Sequence, residues 1–237
     1  MEMIKKYLIG AILITFLVSC DNEAVDSALL NNPSPSNNTT TVDYWPSSLN
    51  NTWNYESYNI SDPFKIVSTS NISGNTYYNF TNFFGQFDLL DNTILMQMRK
   101  DNGNYFIRYP NSFYTFSNIY TSQVDAREFL FFNHNKNVGE TWSSTYTLNE
   151  TYTLLNPPYT SSVVTTNKNV LGTMLGRDMS ITINGVTYSD VLYFKIYITS
   201  ATSNQNETEY YWFSKDIGCI KGSFSDSMVS LTSYTLN

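Results

Sequence analysis

The chain has 237 residues, of which 13 are Lys or Arg and 20 are Asp or Glu, so its formal net charge is −7. It contains no run of basic residues, which excludes the electrostatic surface that binds the phosphates of nucleic acid. Its two cysteines, Cys20 and Cys219, are too few for a disulfide framework, while 19 Tyr and 15 Phe favour β-strands.

Residues 1–19 have the pattern of a signal peptide. Lys5 and Lys6 form a basic start, and an apolar stretch follows over residues 7–18. A membrane-spanning helix needs about 20 apolar residues, so this stretch is too short to be one. A charged start and a short apolar run are typical of a secretory signal that is removed from the mature protein.

The signal ends in Leu17-Val18-Ser19-Cys20, which resembles a bacterial lipobox. The resemblance implies cleavage before Cys20, a diacylglycerol thioether on its sulfur and an acyl chain on its new amino group. One acyl chain holds a protein to a bilayer only marginally, whereas two or three hold it almost permanently. The membrane is therefore the first expected partner, and the alternative is an ordinary secretory signal with a chance cysteine.

Residues 20–42 predict a polar tether. The segment is rich in Asn, Pro, Ser and Thr and cannot bury a core, so it is expected to be disordered. Acidic residues directly after Cys20 resemble the surface-export signal of Bacteroidetes lipoproteins, although an acidic linker kept soluble by its charge explains them equally well. "DSA" and "DSM" resemble the O-glycosylation signal of the same group, which implies candidate sites at Ser27 and Ser227.

Residues 43–237 predict one β domain, which opens with "VDYWPSSLNNTWNYESYN". Trp53 and Tyr55 alternate with polar residues after a turn at Asn50-Asn51, the period of a half-buried strand. This opening and the later "EYYWFSKDIGCIKGSF", with its turn at residues 215–218, resemble a set of bacterial lipoproteins of uncharacterised function. The resemblance implies a β fold and a cell-envelope location, but no activity. Members commonly have a glycine in the first turn, and Asn also tolerates positive φ.

Hairpins follow along the chain, with turns at residues 73–75, Asn102-Gly103 and Asn184-Gly185. Turn spacing predicts an all-β fold of about ten to twelve antiparallel strands. We expect a strongly curved sheet or a barrel-like, lipocalin-like domain, with a two-sheet β-sandwich as the alternative. One short helical turn is possible within residues 118–132.

The chain offers few groups for catalysis. Its one histidine, His134, lies in a predicted loop and is expected to be solvated, and Cys219 is expected to be inert strand packing. A zinc site needs three or four ligands, so neither a metal nor a cofactor is predicted. A carboxylate pair could hydrolyse glycosides. The candidate acids are Asp88, Asp91, Asp125, Glu128, Glu140, Glu150, Glu207 and Glu209. Glu207 and Glu209 share a strand face, but this face is more simply a charged strand start.

These patterns predict a non-catalytic, lipid-anchored protein of the outer membrane, facing the periplasm or the cell surface. Its domain would be structural or would bind an envelope protein or a glycan through an exposed aromatic patch. The alternative is a carrier of an apolar ligand, with Met96, Met98 and Phe106 or their opposite-face neighbours around a cavity, although a stripe of this kind is usually core. A carboxylate-based glycan enzyme is the third hypothesis.

Overall fold

The computed structural model describes residues 42–56, 63–81, 96–200, 206–224 and 227–237. These residues all belong to one compact unit, Val42–Asn237. They contain fourteen strands. Among them no helix has the length and apolar character needed to cross a bilayer.

The strands are numbered in chain order. Their bounds are β1 Thr52–Glu56, β2 Phe64–Ile72, β3 Asn75–Phe80, β4 Met96–Asp101, β5 Asn104–Tyr109, β6 Ser112–Phe116, β7 Tyr120–Val124, β8 Arg127–Asn133, β9 Thr141–Leu154, β10 Ser161–Ile183, β11 Val186–Ser200, β12 Glu207–Ser214, β13 Gly218–Phe224 and β14 Ser227–Thr235.

The described strands form one sheet in the order β6-β7-β9-β10-β11-β12-β13-β14-β1-β2-β3-β4-β5-β8. Every pairing is antiparallel. The all-β, antiparallel prediction is confirmed, but the predicted ten to twelve strands are too few. Part of the difference in strand number is the β6–β7 hairpin. Residues 118–132, considered for a helical turn, instead contain β7 and most of β8.

The sheet is not closed into a barrel, nor is it split into the two sheets of a sandwich. Its order ends at β6 and β8, and no backbone ladder joins these two strands in the described part of the chain. Side chains of β9 reach β8 instead. The Trp142 Nε1–H donates to the carbonyl oxygen of Phe131 at 3.0 Å, and Ser144 Oγ accepts from the Leu130 N–H at 3.2 Å. The curved sheet therefore encloses an interior without a complete hydrogen-bonded ring.

The three predicted hairpin turns are confirmed, and the turn predicted at residues 73–75 consists of Ser73 and Gly74. The paired φ angles are 52° and 83° at Ser73-Gly74, 48° and 83° at Asn102-Gly103, and 50° and 80° at Asn184-Gly185. Positive φ at both central residues is the type I′ geometry, which matches the twist of the flanking strands. Asn50 also takes a positive φ of 67°, as its tolerance of that region predicts.

Aromatic rings fill the centre of the interior. Phe132 lies 5.0 Å from Phe194 and 4.9 Å from Phe213 between ring centroids, and Phe131 lies 4.8 Å from Tyr211. The residues before β1 cover one end, where Trp45 is 2% exposed and its ring lies 5.2 Å from Phe213. This end of the interior is therefore plugged.

The two segments that resemble envelope lipoproteins meet in space. The Trp53 indole N–H donates to the carbonyl oxygen of Ile217 at 2.6 Å, in the turn between β12 and β13. Gly218 follows with φ 110°, and a Cβ at that position would lie 3.1 Å from Trp53 Nε1. Glycine suits both the positive φ and the close approach of the indole. These contacts hold the first strand, β1, against the turn between β12 and β13.

Candidate functional site

The candidate site lies in the interior, at the end away from Trp45. Along β12 the inward-facing residues are Phe213, Tyr211 and Glu209, with Glu207 at the strand start. Phe213 contacts Trp45, so Glu209 is about 13 Å farther along the strand at 3.3 Å per residue. We call the surroundings of Glu209 the Glu209 site. It comprises Tyr109, Arg127, Phe129, Tyr146, Glu207, Glu209, Tyr211 and Phe224.

Strands that are far apart in the sheet order contribute to the Glu209 site. From β8, Arg127 places its guanidinium 4.6 Å from the Tyr109 ring centre, and Phe129 stacks on Tyr146 of β9 with 5.4 Å between centroids. From β13, Phe224 packs edge-on against Tyr211 at 5.5 Å. The approach of β8 to β9 therefore assembles an aromatic wall around charged groups that are far apart in the sequence.

Glu209 is the most perturbed carboxyl of this site. Desolvation by the surrounding protein raises its pKa to about 7, the hydrogen bond from Tyr211 opposes this rise, and the charge of Glu207 adds to it. The Tyr211 hydroxyl donates to Glu209 Oε2 at 2.7 Å. The side chain nevertheless keeps partial exposure. A carboxyl with such a pKa exchanges its proton near neutral pH while still reachable from solvent.

The tyrosines of the site stay protonated. Burial raises the pKa of Tyr109, Tyr146 and Tyr211, and the charge of Glu209 raises each of them further. Neutral phenols can donate or accept a hydrogen bond. Glu207, with its side chain 51% exposed, lies 3.8 Å from Lys168 Nζ at the rim. The arrangement can therefore hold a polar group against aromatic faces.

Metal binding has no support from the described ranges. No group of three or more His, Cys, Asp and Glu side chains within them is placed to share a metal ion.

His134 is not the solvated loop side chain that its flanking asparagines predict. It is half-buried in the turn after β8, with its ring 5.7 Å from Tyr44 and 5.8 Å from Tyr105. Its Nδ1 is buried and has no hydrogen-bond partner among the described residues. Desolvation, followed by the charge of Arg177, lowers its pKa. It packs beside the plugged end, away from Glu209.

Cys219 is buried in β13, as predicted, and burial raises the pKa of its thiol strongly. A bulge separates it from the neighbouring cation. Cys219 pairs with Phe213, whereas Lys221 pairs with Trp212, so Ile220 is the extra residue. Lys221 Nζ lies over the outward-facing Trp212 ring at 5.0 Å. The thiol therefore has no adjacent positive group of the kind that activates cysteine.

The candidate acids are mostly separated. Glu207 and Glu209 share the site, whereas Glu128 pairs with Arg99 at 2.7 Å and Glu150 accepts a hydrogen bond from Ser122 at 2.6 Å. Asp125 accepts from the Asn149 amide at 3.3 Å, and Glu140 accepts from the Asn137 N–H at 2.7 Å. Asp88 and Asp91 lie outside the described residues.

The modification sites remain predictions. Cys20 and Ser27 lie outside the described residues, as do the signal and nearly all of the tether. The backbone of Ser227 begins β14 and pairs with Phe224, while its side chain is not among those described.

The three residues proposed to line an apolar cavity do not all face the interior. Met96 and Met98 are core residues, 1% and 0% exposed. Phe106 alternates with the inward Tyr105 and Ile107, and it lies under the Arg99 guanidinium at 3.7 Å.

The outer face carries an aromatic row on β11 and β12. Tyr193 stacks on Trp212 at 4.5 Å between centroids and lies 6.2 Å from Tyr210. These three rings are only partly exposed, because they cover one another. This row therefore does not establish the exposed Tyr or Trp patch, which stays a prediction.

Tyr109, Arg127 and Tyr146 were missed by sequence reasoning as site residues. Strand alternation places Tyr109 on the same face as Tyr105 and Ile107. It does not reveal that β5 and β8 lie opposite β12, and no local signal does.

Comparisons with known proteins show no family for this chain. No protein-family model matches the chain, and no curated protein matches it. Among solved structures, the chain is similar to a candidate lipoprotein from Parabacteroides distasonis ATCC 8503, at 14% identity and a TM-score of 0.41. The match covers 82% of this chain and 99% of the other. At this level, the similarity carries no conclusion about function.

Proposed function

We propose that this chain is a lipid-anchored protein of the cell envelope whose β domain is a non-catalytic binding module. The lipobox-like Leu17-Val18-Ser19-Cys20 supports the anchor and an outer-membrane location. The single observation that supports binding is Glu209, a partly exposed residue whose carboxyl is desolvated among aromatic side chains of β5, β8, β9, β12 and β13. Few isolated carboxyls are held in such surroundings unless they are paired or functional.

The chemistry of the Glu209 site fits a small glycan. Neutral phenols and a carboxyl offer hydrogen bonds to hydroxyl groups, and aromatic side chains offer apolar surface for a sugar ring. Arg127 and Lys168 offset the acidic charge at the rim. A neutral, hydroxyl-rich ligand therefore fits better than a strongly charged one.

Binding is tested with neutral oligosaccharides of several linkage types, such as maltotriose, cellotriose and xylotriose, by saturation-transfer NMR. We expect at least one of them to receive saturation from the wild-type protein. We expect a loss of about tenfold or more in affinity in Glu209→Gln or Tyr146→Phe. The matched control is Asp101→Asn, a carboxyl-to-amide change at the exposed end of β4. Equal binding by the Glu209 and control variants, or no binding at all, contradicts the glycan proposal.

Glycoside hydrolysis is the second candidate, because Glu207 and Glu209 are two carboxyls on one strand face and the pKa of Glu209 is raised. The same incubations, analysed for released monosaccharide, separate the two functions. A binding module leaves the oligosaccharide intact. Cleavage that disappears in Glu209→Gln would replace the binding proposal with a hydrolytic one.

The anchor is tested by growing cells with an alkyne-tagged fatty acid. Wild type and Cys219→Ala should be labelled, and Cys20→Ala should not be. Equal labelling of the Cys20 variant, or an unlabelled wild type, contradicts the anchor. Protease treatment of intact cells then separates a surface-exposed domain from a periplasmic one.

A further inference from the structure

The two ends of the sheet differ in how they are covered. β8 is approached by Trp142 and Ser144 of β9, which hydrogen bond to its backbone. β6 lies at the other end of the order, and in the described part of the chain its one ladder is with β7. Antiparallel hydrogen bonds alternate along a strand, so every second residue of an edge strand directs its backbone N–H and C=O outward.

β6 lacks the features that usually protect a sheet edge. Lysines, prolines, inward charges and bulges discourage edge pairing. The strand is Ser-Phe-Tyr-Thr-Phe, and residues 112–124 contain no Asp, Glu, Lys, Arg or Pro. β6 pairs with β7 over its whole length without a register shift. Phe113 is also 59% exposed on its outer face. This edge is therefore regular, uncharged and apolar.

We propose that β6 pairs antiparallel with β6 of a second copy of this chain, about a two-fold axis at Tyr114. In this register Phe113 of each copy lies opposite Thr115 of the other, and Ser112 lies opposite Phe116. The two sheets join edge to edge, and the outward N–H and C=O groups of both strands become satisfied. An interface of this kind is isologous and closes at two copies.

The side chains of β6 favour a second copy over an unrelated strand. Phe113 opposite Thr115 is an aromatic and β-branched pair, and the two Phe113 side chains become diagonal neighbours on the same face. Each copy carries a net charge of −7, so two copies repel each other when other parts of their surfaces approach closely. At β6 no like charges meet, because the strand has no charged residue.

The interface is small, so we expect association to depend on concentration. Stable interfaces bury about 1,200–2,000 Å² in total, more than five residue pairs supply. Association of the full chain in detergent is measured by sedimentation velocity across a hundredfold range of concentration. We expect wild type to shift from monomer to dimer across this range.

Phe113→Lys tests the edge itself. It removes the exposed ring and places two lysines diagonally across the axis. We therefore expect the dissociation constant of the dimer to rise at least tenfold. Val186→Lys is the matched control, because Val186 is a strand residue with 51% exposure and the charge change is the same. A wild type that stays monomeric, or a Phe113 variant that dimerises like the control, overturns the proposal.

Cross-linking tests the register. Directly opposed, hydrogen-bonded residues have Cα atoms about 5.5 Å apart, within the reach of a disulfide, whereas diagonal residues at about 7–8 Å are too far apart. The double variant Phe113→Cys/Thr115→Cys should form an intermolecular disulfide on mild oxidation, and Phe113→Cys alone should not. Equal cross-linking of both variants contradicts this register and overturns the proposal.

Discussion

At the scale of single residues, Glu207 and Glu209 show how environment separates two identical side chains. They lie two positions apart on one strand and face the same way. Glu207 is exposed near Lys168, whereas Glu209 accepts a hydrogen bond from Tyr211 in a desolvated position. The pKa of Glu209 is therefore raised to about 7. Burial among its neighbours on β5, β8 and β9 is the main cause of this difference, and Tyr211 and Glu207 of its own strand modify it.

Glu209→Gln should change the pH dependence of stability. On folding, the pKa of Glu209 rises from its ordinary value of 4.5 to about 7. Between these values the folded state binds more protons than the unfolded state, so the free energy of unfolding falls as pH rises. Each pKa unit corresponds to about 1.4 kcal/mol, and with partial solvent access we expect a loss of about 1–3 kcal/mol.

Urea unfolding of wild type and Glu209→Gln at pH 4.5 and pH 8 measures this effect. The variant should match wild type at the lower pH and exceed it at the higher one. Glu56→Gln, an exposed carboxyl in β1, should follow the wild-type curve. A constant difference between Glu209→Gln and wild type at both pH values would contradict the linkage.

At the scale of elements, a glycine lets β9 cover β8. Gly172 of β10 pairs with Trp142 of β9. A Cβ on Gly172 would lie 1.9 Å from the Trp142 indole, so the ring lies flat over the glycine. In that position Trp142 Nε1 reaches the carbonyl of Phe131. The missing methyl group thus allows the contact that holds β9 against β8.

Gly172→Ala should destabilise the protein by about 1–3 kcal/mol, the range for overpacking a filled site. In a Trp142→Leu background the same substitution should have a clearly smaller effect, because the indole is gone. Chemical unfolding of the four proteins of this double-mutant cycle gives the coupling energy. The same loss in both backgrounds would contradict the steric role of the glycine.

At the scale of the whole molecule, the chain before β1 plugs one end of the interior. Asp43 holds this segment, since Lys100 Nζ donates to its two oxygens at 2.8 and 2.7 Å and the Tyr105 hydroxyl donates at 3.1 Å. Trp45 then packs among Phe80, Phe131 and Phe213 at 5.2–6.1 Å. The plug therefore covers the end of the interior that lies away from Glu209.

Trp45→Ala should reduce the free energy of unfolding by about 3–5 kcal/mol, as expected for a large aromatic removed from a core. Tyr234→Ala, at a side chain 42% exposed, should change it by less than about 1 kcal/mol. Guanidinium unfolding of both variants gives the comparison. Similar small effects for the two substitutions would show that Trp45 does not plug the interior.

The sequence by itself determined the local features of this protein. Alternation identified most strands, and Asn or Ser before Gly identified the hairpin turns at residues 73–75, Asn102-Gly103 and Asn184-Gly185, because these depend on a few neighbouring residues. Alternation also placed Cys219 in a buried strand. It did not show the bulge at Ile220 that moves Lys221 to the other face.

The tertiary structure alone decided the meeting of distant strands. Trp53 contacts a turn 164 residues away, and Tyr44 hydrogen bonds to Tyr105 across 61 residues. Alternation says which residues share a face of a strand, but not which face of another strand lies opposite. The Glu209 site, the half-buried His134 and the open edge at β6 all depend on how distant strands are placed against one another. The curvature of the whole sheet sets this placement.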